Sequence, residues 1–290
     1  MSGSSRRVAV VLGARGMLGS ELLRRAPKGL EVFGVAREEA DVSRLDSLRD
    51  YFRRVQPAIV VNAAAYTAVD AAEQDRAAAF RVNSDGARNG ALAAREVGAR
   101  FLHVSTDFVF DGKATRPYGE FAAPNPQGAY AESKHAGELA VAAAGGDWQI
   151  VRTQWVFGAR GKHFVGAIAR AAAERDRLTV VADQRGCPTC THDLAPEIWR
   201  IAEEAPAGLY HASSMGECTW HELACEIVKL LGRATRVDPI TTEDWNRMKP
   251  GSAPRPAYSV LEKLHLERTI GCHMPHWKDA LAGFIRRGDQ

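Results

Sequence analysis

One short string limits this chain more than any other. Gly13-Ala14-Arg15-Gly16-Met17-Leu18-Gly19 stands directly behind an unbroken apolar run, Val8–Leu12, and leads into helical spacing from Met17 to Arg25. An unbroken apolar run this short reads as a strand buried on both faces of a parallel sheet. Glycines at its end permit a tight turn and let the backbone approach a pyrophosphate. The helix that follows offers unpaired N–H groups and a partial positive charge. A glycine-rich turn with no ligand is the plainer reading, and the position between strand and helix favours the phosphate loop.

The rest of the N-terminal half keeps this rhythm. Strands are predicted at Glu31–Ala36, Ile59–Ala63, Phe101–Ser105 and Trp148–Arg152. Helices are predicted at Leu45–Val55, over Ala71–Val97 with a break near Asn83–Gly86, and over Tyr130–Ala144. Such alternation builds right-handed βαβ units. The expected fold is α/β, a doubly wound parallel (Rossmann-like) sheet over residues 1–157 that binds a dinucleotide and carries the catalytic groups. After Phe157 the rhythm loosens. Helices are predicted at Phe164–Arg175, Leu194–Glu204 and Trp220–Leu231, and strands at Leu178–Ala182 and Leu209–His211, while Asp183–Thr191 and Thr241–Arg255 read as loops. Residues 158–290 are expected to form a smaller α/β lobe that grips substrate, with some segments returning to the sheet.

Composition removes other classes. With 46% apolar and 25% charged residues, a 290-residue chain buries a core that needs no disulfides. Its 38 Lys and Arg are matched by 35 Asp and Glu, so nothing calls for nucleic acid as a partner. No apolar stretch approaches the roughly 18 residues of a membrane span. Arg6-Arg7 before Val8–Leu12 looks like the start of an export signal, but the apolar run is short and Arg15 interrupts it. Five scattered cysteines suit a reducing cytoplasm, the expected location. Cys187-Pro188-Thr189-Cys190 invites a zinc or redox reading, with His192, Cys218 and His221 as further ligands. A closed zinc site needs four convergent ligands, no second C-x-x-C exists, and no metal is expected.

The cofactor can be argued from two arginines. NAD-preferring folds place an acid near the end of the second strand for the ribose 2′-hydroxyl. Here Ala36-Arg37 stands there, and Arg15 precedes the second glycine. Two guanidiniums suit a 2′-phosphate, so NADPH is expected, with NADH possible because Glu38 and Glu39 lie beside them. The chemistry points to Tyr130 and Lys134. Four residues apart on a helix, they share a face, and a cation beside a phenol draws its pKa down toward general acid–base use. Ser105, Thr106 and Asp107 close a predicted strand at the carboxyl edge of the sheet, where hydroxyls can hold a carbonyl for hydride attack.

With these residues in place, the chain resembles the extended short-chain dehydrogenase/reductases and, within them, the dTDP-4-dehydrorhamnose reductase family. The strings that carry the resemblance are Val61–Asp70 with Glu73, Val82-Asn83, Ser105–Gly112 and Tyr130–Lys134. Arg152–Gly158, Asp183–Thr189 with Asp193–Ala195, Gly208–His211 with Trp220, and Arg255-Pro256 extend it from Val8 to about Phe284. The resemblance implies reduction of the 4-keto group of a dTDP-4-keto-6-deoxyhexose, with rhamnose the leading product. It implies that Tyr130 donates the proton, that Thr106 stands in for a serine, and that Lys134 holds the nicotinamide ribose and lowers the tyrosine's pKa. Gly16, Met17, Leu18, Asp41, Val42, Ala65, Tyr66, Thr67 and Val104 fall on its cofactor positions, next to Gly13 and Gly19 of the phosphate loop, which are expected to bind cofactor too. Thr106, Asp107 and Trp155 fall on its sugar-nucleotide positions. Phe108 departs from the family's usual tyrosine. A reductase of another keto sugar, a non-catalytic NADP-binding regulatory subunit, and an epimerase or dehydratase that recycles its nucleotide are the rival readings. A monomer or homodimer is expected.

Overall fold

The computed structural model describes residues 7–288. Met1–Arg6, where the export-like string begins, lie outside the described residues, as do the last two residues of the chain. At the centre is a six-stranded, fully parallel sheet. Five strands come in order: β1 Arg7–Leu12, β2 Leu30–Val35, β3 Ile59–Asn62, β4 Arg100–Thr106 and β5 Trp148–Thr153. The sixth, Gly208–His211, comes from the C-terminal half and pairs with β5. Across the sheet the order is Gly208–His211, β5, β4, β3, β1, β2. β1 has β2 on one side and β3 on the other. The winding therefore reverses at the carboxyl end of β1, where ligands of such sheets bind.

The apolar run of β1 is buried on both faces. Ala9 and Val11 face a cluster with Leu22, Leu194, Ile198 and Trp199. Val10 and Leu12 face the opposite cluster with Leu48, Phe52, Ala91 and Val141. Period-2 alternation sends successive side chains to opposite faces, and helices cover both. A third cluster gathers residues from the second half of the chain, including Phe157, Val165, Leu178, Leu223, Trp277 and Phe284.

Several sequence expectations are corrected here. The Ala-rich stretch does not break at Asn83–Gly86. It runs through a π-turn, Arg81–Asp85, into the helix Gly86–Glu96, with right-handed helical backbone at Phe80 and Gly86. The interruption comes earlier, at Asp75, whose φ of −129° and ψ of 64° leave the helix while its carboxylate caps Ala78 N–H. Asp183–Thr191 is not wholly loop: Arg185–Gly186 pairs with Cys218–Thr219, and Thr189–Cys190 with Val156–Phe157. Two-residue strands leave no readable periodicity. Thr241–Arg255 contains the helix Thr242–Met248, which buries no residue and so has no apolar stripe; Thr241 caps its first turn. The strand Arg236–Ile240 and the helices Leu264–Ile270 and Trp277–Arg286 carried no expectation.

Candidate active site

The glycine string forms the floor of a cleft of about 710 Å³ at the switch point. Gly13 has φ +76°, and a Cβ there would stand 2.6 Å from the Ala64 nitrogen, so only glycine fits. At Gly19 a Cβ would stand 2.1 Å from the Gly13 carbonyl, which lets the helix Met17–Arg24 start tight against the loop. No side chain caps that helix at Gly16. Its N–H groups are left for a ligand, the arrangement that suits a pyrophosphate.

Of the expected cofactor residues, Gly13, Arg15, Gly16, Arg37, Asp41, Val42, Ala65 and Tyr66 line this cleft. Arg15 pairs with Glu38 at 3.1 Å and Arg37 with Asp41 at 3.2 Å, both guanidiniums largely exposed. Burial pushes the Asp41 carboxyl up, but Ser43 and Arg37 pull it further down, so it stays ionised. Seven expected residues, Tyr130 and Lys134 among them, lie off the cleft wall. Met17 faces a neighbouring recess with Ala159 and Arg160, and Leu18 packs on the core. Gly19 is buried and Thr67 exposed. Val104 contributes its carbonyl to Lys134. Arg81, which sequence reasoning missed, lines the cleft from the π-turn.

Tyr130 and Lys134 rise from the helix Ala129–Ala144. Glu73, from the helix Val69–Gln74, holds its start by accepting the Ala129 N–H at 2.7 Å. Gly137 lets this helix touch the π-turn: a Cβ there would stand 2.2 Å from the Asn83 carbonyl. The Asn83 side chain binds both Tyr66 backbone groups and the Ser133 hydroxyl. Tyr66, on the cleft wall, shares an apolar cluster with Tyr130. Tyr130 itself packs with Tyr66 against Ala72, Ala79 and Ala129 and is not among the residues that line the cleft.

The electrostatics depart from expectation at one point. Lys134 was expected to draw the Tyr130 phenol down. Instead, burial pushes the phenol up to about 12, the Asp107 charge adding to this and the Thr106 hydroxyl opposing it. The Lys134 Nζ is turned to the Val104 carbonyl at 2.7 Å and to His103 Nε2 at 3.2 Å. Beside Tyr130, burial raises Asp107 to about 6. Thr106 Oγ1 donates to Asp107 Oδ1 at 3.0 Å, and the Ser259 hydroxyl also acts on this carboxylate. Phe108 meets the Tyr130 ring edge-on at 5.5 Å. Two turns beyond Tyr130, Glu138 accepts from Ser105 Oγ at 2.6 Å and from Arg152.

Trp155, just past β5, has φ +46°, strained for a bulky side chain. Its ring stacks on Trp220 at 3.4 Å, and Gly186 leaves room for it, since a Cβ there would come within 2.4 Å. Next to this stack is a recess of about 390 Å³ with Phe164, Val181, Gln184, Trp220, Trp245 and Arg255 on its walls. Arg255 also pairs with Asp70 of the helix Val69–Gln74. Cys187, Cys190 and Cys218 are buried free thiols whose pKa burial raises. Among the described residues no group of three or more His, Cys, Asp or Glu could hold a metal, and no helix is long and apolar enough to cross a membrane.

Known proteins match this geometry along the whole chain. The RmlD substrate binding domain model matches residues 7–289. A dTDP-4-dehydrorhamnose reductase of Burkholderia thailandensis is 42% identical, covering 96% of this chain and 97% of its own. The spore coat polysaccharide biosynthesis protein SpsK of Bacillus subtilis is 38% identical over 96% of both. A crystal structure of dTDP-4-dehydrorhamnose reductase from Bacillus anthracis in complex with NADP superposes with a TM-score of 0.94, at 33% identity, covering 98% of this chain and 100% of that one. The chain belongs to the RmlD substrate binding domain family, a family of oxidoreductases.

Proposed function

We propose that the protein reduces the 4-keto group of dTDP-4-dehydrorhamnose to give dTDP-L-rhamnose, using NADPH in the cytoplasm. The observation that supports this reading is that Tyr66, on the wall of the nucleotide cleft, and Tyr130 pack against one apolar cluster. Residues 1–157 supply the cofactor grip and the chemistry, and residues 158–290 mainly the substrate grip. Gly13–Gly19 hold the diphosphate, and Arg15 and Arg37 take the 2′-phosphate. Bound there, NADPH supplies the hydride.

The chain's own residues do the rest. Tyr130 and Thr106 hold the keto oxygen. A phenol kept near 12 stays protonated at neutral pH, which is the form a reductive proton donor needs. Lys134 holds the ribose hydroxyls. The Asp107 carboxylate, beside the Ser259 hydroxyl, accepts from a sugar hydroxyl. The Trp155–Trp220 stack and the recess beside it take the nucleotide end of the substrate. A second reading keeps the mechanism and changes the sugar; Phe108 favours it, because a ring without a hydroxyl faces Tyr130. Comparing kcat/KM for dTDP-4-dehydrorhamnose with that for dTDP-4-keto-6-deoxy-D-glucose separates the two. Preference for the second sugar would overturn the rhamnose assignment.

A further inference from the structure

The chain leaves β5 through four buried or half-buried residues, 152–155, and three of them are committed within the protein. Arg152 is bound to Glu138. Gln154 donates to the Ser213 hydroxyl at 3.3 Å and accepts the Cys187 N–H at 3.1 Å. The Trp155 ring stacks on Trp220. Thr153 is the exception. It is 5% exposed, and its hydroxyl finds no partner within the chain. A buried hydroxyl left unpaired destabilises the fold, so its presence calls for a reason other than packing.

The register of the sheet supplies one. Thr153 closes β5 as Thr106 closes β4, and the two are paired across the ladder. The pair before them, Arg152 and Ser105, both turn to Glu138. Side chains alternate along a strand, so Thr153 and Thr106 turn together to the opposite side. Neighbouring strands lie about 4.8 Å apart, a span over which two hydroxyls can bond oxygens on adjacent carbons of one ring. Thr106 stands at the reaction centre, its hydroxyl acting on the Tyr130 phenol and on Asp107. Both threonines lie at the carboxyl edge of the sheet, where ligands of such folds bind.

We propose that Thr153 is a further substrate-binding residue, whose hydroxyl donates to the sugar hydroxyl on C3, next to the 4-keto group. The proposal rests on the reductase reading above, in which Thr106 and Tyr130 hold the keto oxygen. On the other side of that group, C5 of a 6-deoxy sugar carries a methyl, so C3 bears the polar neighbour. The bound sugar gives the Thr153 hydroxyl the partner that the folded chain does not. A sugar without the C3 hydroxyl leaves it buried and unpaired and is bound more weakly. Thr153 thereby helps to decide which keto sugar is accepted.

Isothermal titration calorimetry on the full chain saturated with NADP⁺ compares dTDP-L-rhamnose with dTDP, which has no sugar. Thr153→Val keeps the shape of the side chain and removes the hydroxyl; Thr153→Ser keeps the hydroxyl. The Kd for dTDP-L-rhamnose should rise about five- to tenfold in the valine variant and stay within about twofold of wild type in the serine variant. The Kd for dTDP and that for NADP⁺ should not change. A loss shared by dTDP, a loss confined to NADP⁺, or no loss at all overturns the proposal. Urea unfolding of the ligand-free chain gives a second reading. The midpoint of Thr153→Val should be unchanged or higher, because an unpaired hydroxyl is removed. A lower midpoint shows that the hydroxyl is used inside the protein, and it overturns the proposal too. A wild-type chain that reduces no dTDP-4-keto sugar overturns the reductase reading instead, and the unfolding midpoint still decides whether the Thr153 hydroxyl is free.

Discussion

Arg152 and Glu138 form a two-pronged ion pair inside the protein, Nε on Oε1 at 2.8 Å and Nη2 on Oε2 at 2.7 Å. Both side chains are almost wholly buried. The pair locks the helix that carries Tyr130 and Lys134 onto β5, and through Ser105 onto β4. Removing one partner strands the other charge. Arg152→Met should therefore lower unfolding free energy by about 3–5 kcal/mol in urea titrations. A loss under about 1 kcal/mol would contradict this role.

The same pair sets an acid-stability limb. Burial pushes Glu138 up, but Arg152 reverses this and holds it at about 2, against an ordinary value of 4.5. A carboxylate depressed in the folded state stabilises fully above its unfolded pKa, and that stability is lost as pH falls toward the folded value. About 3 kcal/mol should disappear between roughly pH 5 and 2. Glu138→Gln should remove this part of the slope; an unchanged slope would contradict it.

Asp107 titrates the other way. Burial lifts it to about 6, so it becomes neutral as pH falls through that value and Oδ2 loses its capacity to accept as a carboxylate. The KM for sugar nucleotide should rise below about pH 6. Asp107→Asn should raise KM at pH 7.5 and abolish the pH dependence. A KM that is pH-independent in the wild type would remove Asp107 from substrate binding.

Cofactor preference is carried by exposed arginines, so its magnitude is modest. Arg15→Ala and Arg37→Ala should each raise the KM for NADPH about five- to tenfold and leave that for NADH nearly unchanged. Equal effects on the two cofactors would show that neither guanidinium reads the 2′-phosphate.

The sequence displayed these features unequally. Val8–Leu12 was legible because both faces of β1 are covered, which forces an unbroken apolar run. Tyr130 and Lys134 were legible because one helix presents both. Thr153 was not, since it stands beside Thr106 only through the register of β5 on β4 and no local spacing marks that pair. Glu138 reads as an ordinary helix-surface charge until β5 brings Arg152 against it. Asn83–Gly86 looks like a helix breaker by propensity, yet tertiary bonds from Asn83 to Tyr66 and Ser133 hold the chain helical there. The spacing of Tyr130 and Lys134 puts a cation one turn away but shows neither that Lys134 Nζ turns to Val104 and His103 nor that burial raises the phenol.

Tyr130→Phe keeps the ring against Phe108 and removes only the hydroxyl. Turnover should fall roughly 10²–10⁴-fold with little change in the KM for NADPH. Wild-type-like turnover would reassign the proton donor.

The most direct measurement uses NADPH deuterated at the transferring position with dTDP-4-dehydrorhamnose generated in situ. One NADP⁺ should form per sugar consumed, with one deuterium at C4 of dTDP-L-rhamnose. Product formed without net loss of NADPH, or without label at C4, would contradict a reductase and indicate a nucleotide-recycling epimerase or dehydratase.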